Sequence, residues 1–225
     1  RVFQYQVISG TATWTQLGAD IDGEAADDIS GVRISLSSDG SRVAIGAALN
    51  DGNGNNSGHV RIYQYNNNSW SQLGADIDGE AAEDRSASLS LSSDGSRVAI
   101  GAGSNDGNGS DSGHVRIYDY NGSAWVQVGG DIDGEAAGDA FGNSVSLSSD
   151  GSRVAIGATL NDGNGSDSGH VRIYDYNGSA WVQVGADIDG EAANDKSGGN
   201  ANISLSSDGT RVAIGAAYNL SLIHI

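Results

Sequence analysis

An all-β fold assembled from tandem repeats is predicted for this chain of 225 residues, on three observations. Trp14, Trp70, Trp125 and Trp181 recur at spacings of 55 or 56 residues. A Ser-Asp-Gly turn recurs at Ser38-Asp39-Gly40, Ser93-Asp94-Gly95, Ser149-Asp150-Gly151 and Ser207-Asp208-Gly209. Apolar residues alternate with period two, the pattern of a half-buried strand, and no segment carries a convincing helical period. The stretch Asn105 to Gly129 returns unchanged as Asn161 to Gly185. Chance does not produce such identity, and a repeat of this kind points to stacked units.

Each unit reads as four short strands. In the third unit the first is SVSLS, with Val145 and Leu147 alternating with serines. The turn at Ser149-Asp150-Gly151 is a hairpin signal. The second strand, RVAIG, puts Val154 and Ile156 on one face. A polar loop, NDGNGSDSG, leads to the third strand, HVRIYDY. Val171 and Ile173 lie on one of its faces, and Arg172, Tyr174 and Tyr176 on the other. Asn177-Gly178 turns the chain into the fourth strand, AWVQVG.

Four antiparallel strands in about 56 residues make one blade of a β-propeller. Residue size sets the orientation. The first two strands carry Ser, Ala and Gly, which suit a crowded axis. The last two carry Tyr and Trp, which fill the wider rim. The first strand is therefore expected innermost and the Trp strand outermost. A β-solenoid is the alternative architecture, but its rungs usually repeat at half this length or less.

Residues 1–219 are expected to be propeller repeats amounting to about four blades. RVFQYQ at the start aligns with HVRIYQY from His59, so the chain opens at strand three of one blade and closes on strands one and two of another. Pairing those ends would make a four-bladed ring, but an arc cut from a larger ring is expected. The final residues 220–225, LSLIHI, match no repeat. They read as the translation of a sequencing-adaptor end in an assembled metagenomic fragment.

Composition narrows the function. Glycine is abundant, at 35 residues, and proline is absent, so Gly, Asn, Asp and Ser must build the turns. A net charge of −18 repels nucleic-acid phosphates and anionic lipid. No apolar run is long enough for a membrane span, so neither nucleic acid nor membrane insertion is expected. Without cysteine, disulfides and thiolate metal sites are excluded.

Gly138 to Ala158, GDAFGNSVSLSSDGSRVAIGA, resembles the FG-GAP repeat of integrin-α-type propellers. Phe141-Gly142 matches the FG pair, and Gly157-Ala158 the start of GAP. The resemblance extends loosely to all four units. It implies a secreted or cell-surface propeller used in adhesion or ligand binding. The other units carry Ile29-Ser30, Arg85-Ser86 and Lys196-Ser197 near the FG position. The integrin-type calcium loop is missing, since only SSDG stands between FG and GAP. The hairpin SSDG-SRVAIG is also similar to the turn of WD40-like propellers.

No catalytic residues are assigned. The carboxylates of the connection Asp131-Ile-Asp133-Gly-Glu135 could suggest glycosidase chemistry, but they recur in every unit, whereas a catalytic site breaks repeat symmetry. A hydrolase site would have to lie in other blades of the same protein. Calcium is the one candidate cofactor. Its better site is the NDGNGSDSG loop, where Asp106, Asn108 and Asp111, with Asp162, Asn164 and Asp167, place oxygen ligands in a glycine-rich curl. His59, His114 and His170 start strand three of their units, and one histidine per blade is expected to do no more than hydrogen-bond locally.

The units differ most just before strand one. Asp28, Arg33, Asp84, Arg85, Asp139, Phe141, Asp195 and Lys196 mark these stretches and are the candidate ligand-face residues. The expected function is a non-catalytic extracellular interaction module with a protein or glycan ligand. The alternative is a carbohydrate-binding propeller that stacks sugars on its regular tryptophans.

Overall fold

The computed structural model describes residues 1–199 and 202–219. The LSLIHI segment lies outside the described residues. The sixteen expected strands are all present, and three two-residue strands join them.

Three complete antiparallel blades follow one another. The first is β3 (Ser30–Leu36), β4 (Arg42–Ala47), β5 (His59–Asn66) and β6 (Ser69–Gln72). The second is β8 (Ser88–Leu91), β9 (Arg97–Ala102), β10 (His114–Tyr120) and β11 (Trp125–Gln127). The third is β13 (Phe141–Leu147), β14 (Arg153–Ala158), β15 (His170–Tyr176) and β16 (Trp181–Gln183). Two-stranded sheets flank them, β1 (Phe3–Ile8) with β2 (Thr11–Gln16) and β18 (Ile203–Leu205) with β19 (Val212–Ile214). These two sheets do not pair with each other.

The extra strands are β7 (Ile77–Asp78), β12 (Ile132–Asp133) and β17 (Ile188–Asp189). Each pairs with strand three of its own blade, beyond the Trp strand: His59 faces Asp78 and Val60 faces Ile77. The outer strand is thus broken in two. At the break, around Gly129 (φ +77°), the indole of Trp181 packs where a side chain would stand. Trp181 Nε1 donates to Val128 O at 2.9 Å, and Trp125 and Trp70 donate likewise to Leu73 O and Leu17 O. Each tryptophan therefore ties its blade to the one before.

The core lies between blades. Val98 and Ile100 of β9 pack against Val60, Ile62 and Ala44 of the first blade. Ala99 of the same strand faces Phe141, Val145 and Leu147 of the third. Between second strands a Val–Ile face thus meets an alanine: Val98 and Ile100 share a cluster with Ala44, and Val154 and Ile156 with Ala99. The same alternation puts Tyr174 of β15 in the junction with the second blade and Val171 in the junction with β18.

Contact is tightest at Gly101. The strand β13 bulges after Phe141, and the Gly142 carbonyl presses on the bare Cα of Gly101, where a methyl group would fall well inside its van der Waals radius. Gly142 has a φ of +89°, a value only glycine adopts without strain. By position in the fold, Phe141-Gly142 corresponds to Ser30-Gly31, Ser86-Ala87 and Ser197-Gly198. This shifts by one residue the pairs compared in sequence, and it shows that three of the four units keep the glycine.

The Ser-Asp-Gly turns form a row near the first-strand edge. Ser38 N donates to Ser93 O, Ser93 N to Ser149 O, and Ser149 N to Ser207 O. Along that edge, Leu91 N and Leu147 N bond the Ser35 and Ser90 hydroxyls of the preceding blade, each at 3.0 Å. Arg97 pins the same end. It makes a two-point pair with Asp119 of its own blade, donates to Gly151 O of the next at 2.8 Å, and lies over the Tyr176 ring.

Two predictions follow from this packing. Gly101→Ala should lower stability by about 1–3 kcal/mol, the usual cost of overpacking. Gly130→Ala, whose added methyl meets nothing, should stay within about 0.5 kcal/mol. Urea midpoints at constant slope measure both.

The second concerns acid. Donation from the Ser41 backbone and the Ser37 and Ser41 hydroxyls holds the Asp39 carboxyl below its ordinary range, and Ser152 and Ser148 do the same for Asp150. The Ser206 hydroxyl and Thr210 take Asp208 down to about 2. Carboxyls depressed by folding stabilise the native state above their unfolded pKa and lose that contribution as pH falls through the folded value. The urea midpoint should therefore drop between about pH 4 and pH 2, and Asp150→Asn should make the drop shallower.

Candidate functional site

The register places four features at one end of each complete blade. Ser30 of β3 faces Ala47 of β4, Ala47 faces His59 of β5, and His59 faces Asp78 of β7. The start of strand one, the end of strand two, the start of strand three and the connection to the next blade therefore share a face. The Ser-Asp-Gly turns sit at the other end.

The candidate ligand-face residues divide into two groups on this face. Asp84 is buried and accepts from Glu80 N, Ala81 N and Asn105 Nδ2 at 3.0–3.1 Å. Asp28, Asp139 and Asp195 are also buried, and they clamp Asn50, Asn161 and Asn219 in the same way. Phe141 is fully buried in the junction of the second and third blades. The four aspartates fold the connection onto the polar loop and Phe141 fills the junction, a correction to their expected place at the ligand surface. A repeated aspartate beside variable neighbours could not be told from a ligand group by sequence alone.

Arg33 and Arg85 stay accessible. They line a cleft of about 230 Å³ with Val32, Ser88, Ser104 and Asn143, reaching across all three blades. Arg33 donates to the Val32 carbonyl at 3.1 Å, and Arg85 lies 3.4 Å from Glu83. Lys196 faces Asp167 at 3.9 Å and lies over the Tyr218 ring, away from the cleft.

The proposed calcium loops are stapled by their own polar groups. Asp106 Oδ1 accepts from Asp111 N, and Asn108 Nδ2 donates to Gly134 O, both at 2.8 Å. Asp162, Asp167 and Asn164 repeat the pattern. Asp111 and Asp167 adopt a φ of +51°.

One constellation was missed. His59 stands with Glu24 and Asp76, His114 with Glu80 and Asp131, and His170 with Glu135 and Asp187, their ligand atoms all within 4.8 Å. The histidines are buried at 1% exposure. Each glutamate comes from the connection that precedes the blade, each aspartate from the one that follows. Sequence reasoning counted one histidine per blade and did not look for partners in neighbouring units.

The clusters are not alike. Glu24 Oε2 lies 3.7 Å from His59 Nδ1 while its Oε1 lies 3.4 Å from Arg61. Glu80 divides its oxygens in the same way between His114, at 3.6 Å, and Arg116, at 3.4 Å. Arg61 and Arg116 lie over the Tyr63 and Tyr118 rings, and their buried Nε atoms have no partner. Arg172 instead closes on both oxygens of Asp187, at 2.9 and 2.8 Å, and also pairs with Glu135. Burial, reinforced by Arg116, holds the His114 imidazole below its usual pKa, and burial with Arg172 does so for His170.

Residues 132–174 match the family model described as FG-GAP repeat. This stretch is an FG-GAP repeat. The match runs from β12 into β15, and it includes the bulge at Phe141-Gly142, whose carbonyl meets Gly101 of the blade before. No curated protein matches the chain in sequence.

Among solved structures, a candidate 6-phosphogluconolactonase of Bacteroides uniformis matches with a TM-score of 0.53 at 15% identity, over 83% of this chain and 47% of its own. TolB of Acinetobacter baumannii matches at 0.45 and 17%, over 85% and 38%. The β-propeller domain of Cps50 of Myceliophteria thermophila matches at 0.42 and 13%, over 81% and 52%. The chain spans about half the length of the first of these or less. The FG-GAP repeat, the blades and the first likeness make the fold a β-propeller.

Calcium held by the stapled loops would raise the melting temperature as its concentration rises. The expected shift is a few degrees in millimolar calcium against chelator, lost in Asp106→Asn/Asp162→Asn. An unchanged melting curve leaves the loops as plain hairpins.

Proposed function

We propose that this propeller is a non-catalytic interaction module, acting outside the cell or at its surface, which receives a protein ligand on the face that carries the variable connections. The cleft between Arg33 and Arg85 carries this reading. The chain holds only 11 lysines and arginines against 29 acidic residues, yet two of the cations meet in one concavity. Its walls come from the stretches in which the blades differ, so it is the part of the face able to distinguish one ligand from another. Arginine is enriched among the residues that dominate interface energetics, and a carboxylate-bearing segment of a partner is the group it pairs best with.

The recurring carboxylates support the non-catalytic part of the proposal. Asp28, Asp84, Asp139 and Asp195 are spent on backbone amides and asparagines, and they sit alike in every unit. Adhesion through an FG-GAP-type propeller is the finer form of the same reading. A sugar-stacking role fits less well, because Trp70, Trp125 and Trp181 spend their indole N–H on the neighbouring blade.

An array of extracellular proteins and glycans, probed with the chain and with its Arg33→Ala/Arg85→Ala variant, tests the proposal. Binding to a protein, weakened about tenfold or more in the variant, is expected. Signal confined to glycans would replace the protein ligand by a sugar. Hydrolytic activity that disappears on changing one residue would overturn the reading.

A further inference from the structure

We propose that the clusters Glu24–His59–Asp76 and Glu80–His114–Asp131 each bind a divalent transition cation of the zinc class, and that the cluster of the third blade does not. One imidazole and two carboxylates form a donor set that suits zinc, manganese or ferrous iron better than calcium, which takes oxygen ligands alone.

The geometry supports binding in three ways. Ligand atoms around one ion, with bonds of about 2.0–2.2 Å, stand about 3–4 Å from one another. Here His59 Nδ1 lies 3.7 Å from Glu24 Oε2 and 3.9 Å from Asp76 Oδ2, too far for hydrogen bonds and close enough for shared coordination. His59 Nδ1 is buried without a hydrogen-bond partner and faces into its cluster; in the second and third clusters the buried nitrogen without a partner is Nε2 of His114 and of His170. A buried polar atom left so costs free energy unless something fills the place.

Each carboxylate also has its other oxygen held from behind. Gln72 donates to Asp76 Oδ1, Gln127 donates to Asp131 Oδ1, and Arg61 and Arg116 stand at Oε1 of the glutamates. Outer partners of this kind orient ligands toward a metal. The glutamates are 44% exposed, so an ion has a way in and room to keep water ligands. The arginines set an upper limit on affinity, since each places a positive charge beside the site.

The third blade is an internal control. Arg172 occupies both Asp187 oxygens and pairs with Glu135, so the aspartate that no arginine holds in the other two clusters is already taken there.

Zinc or cobalt binding to the whole chain, measured by equilibrium dialysis with metal analysis in excess magnesium, decides the matter. Two ions per chain are expected. Cobalt should give visible d–d bands without sulfur charge transfer, since there is no cysteine. His59→Gln should remove one ion, His59→Gln/His114→Gln both, and His170→Gln none. Glu24→Gln/Glu80→Gln, at half-exposed positions, should weaken binding at least about tenfold, whether or not the histidine variants fold. No saturable binding above magnesium, or binding that the glutamate double variant retains, would overturn the proposal. Three equal ions would overturn the exclusion of the third blade.

Discussion

The approach of one blade's backbone to the bare second strand of the blade before it governs the rest of this structure. Gly101 takes the carbonyl of Gly142, and Gly46 and Gly157 take those of Ala87 and Gly198. A side chain at any of these positions would push the sheets apart near the crowded edge. With that spacing set, the large faces Val98–Ile100 and Val154–Ile156 can meet small faces in the blades before them. The spacing also brings Arg97 within reach of Gly151 and Trp181 within reach of Val128. Burial then supplies the stabilisation, at about 25 cal/mol per Å² of apolar surface, and the polar pins fix the angle at which it is gained.

Much of this was legible in the sequence because each blade announces itself by local signals. Alternation located the sixteen strands, the Ser-Asp-Gly and Asn-Gly turns located the hairpins, and the Trp strand fell at the outer edge as residue size required. The two-residue strands β7, β12 and β17 were not legible, since Ile-Asp alone carries no periodicity. Their pairing depends on the break beside the tryptophan seat. The FG register slipped by one residue because the feature shared by the units is the positive φ just before the pair, at Ile29, Arg85, Ala140 and Lys196, and backbone conformation leaves no mark in residue type there.

The site divides along the same line. That Arg33 and Arg85 share a face follows from their place before strand one, and a sequence can say so. That Asp84 and its counterparts are buried clamps depends on partners about 21 residues away, across the bend of the polar loop. The Glu–His–Asp clusters are harder still. Glu24 precedes His59 by a whole hairpin and lies in the connection from the blade before, so only the stacking of blades brings them together. Residues that act within a strand or turn are readable from order along the chain. Residues that act across a junction require the junction first.

The connection between blades therefore has two parts with different freedom. Its Asp-Ile-Asp-Gly-Glu half is repeated and fully engaged: Ile77 extends the sheet, Asp78 O accepts from Arg116, and Glu80 faces His114. Altering it would disturb two blades at once. The half that follows the clamp, from Arg85 to Ser88 and its counterparts, carries the changes of length and charge, and it opens on the cleft. Both halves reach the same end of the blades because Ala47 is paired with Ser30 on one side and with His59 on the other. A single face thus combines an invariant frame, held by carboxylates and cations, with loops free to diverge. A repeat protein can change its ligand there without renegotiating its fold, because the residues that set the blade spacing lie one layer below the residues that vary.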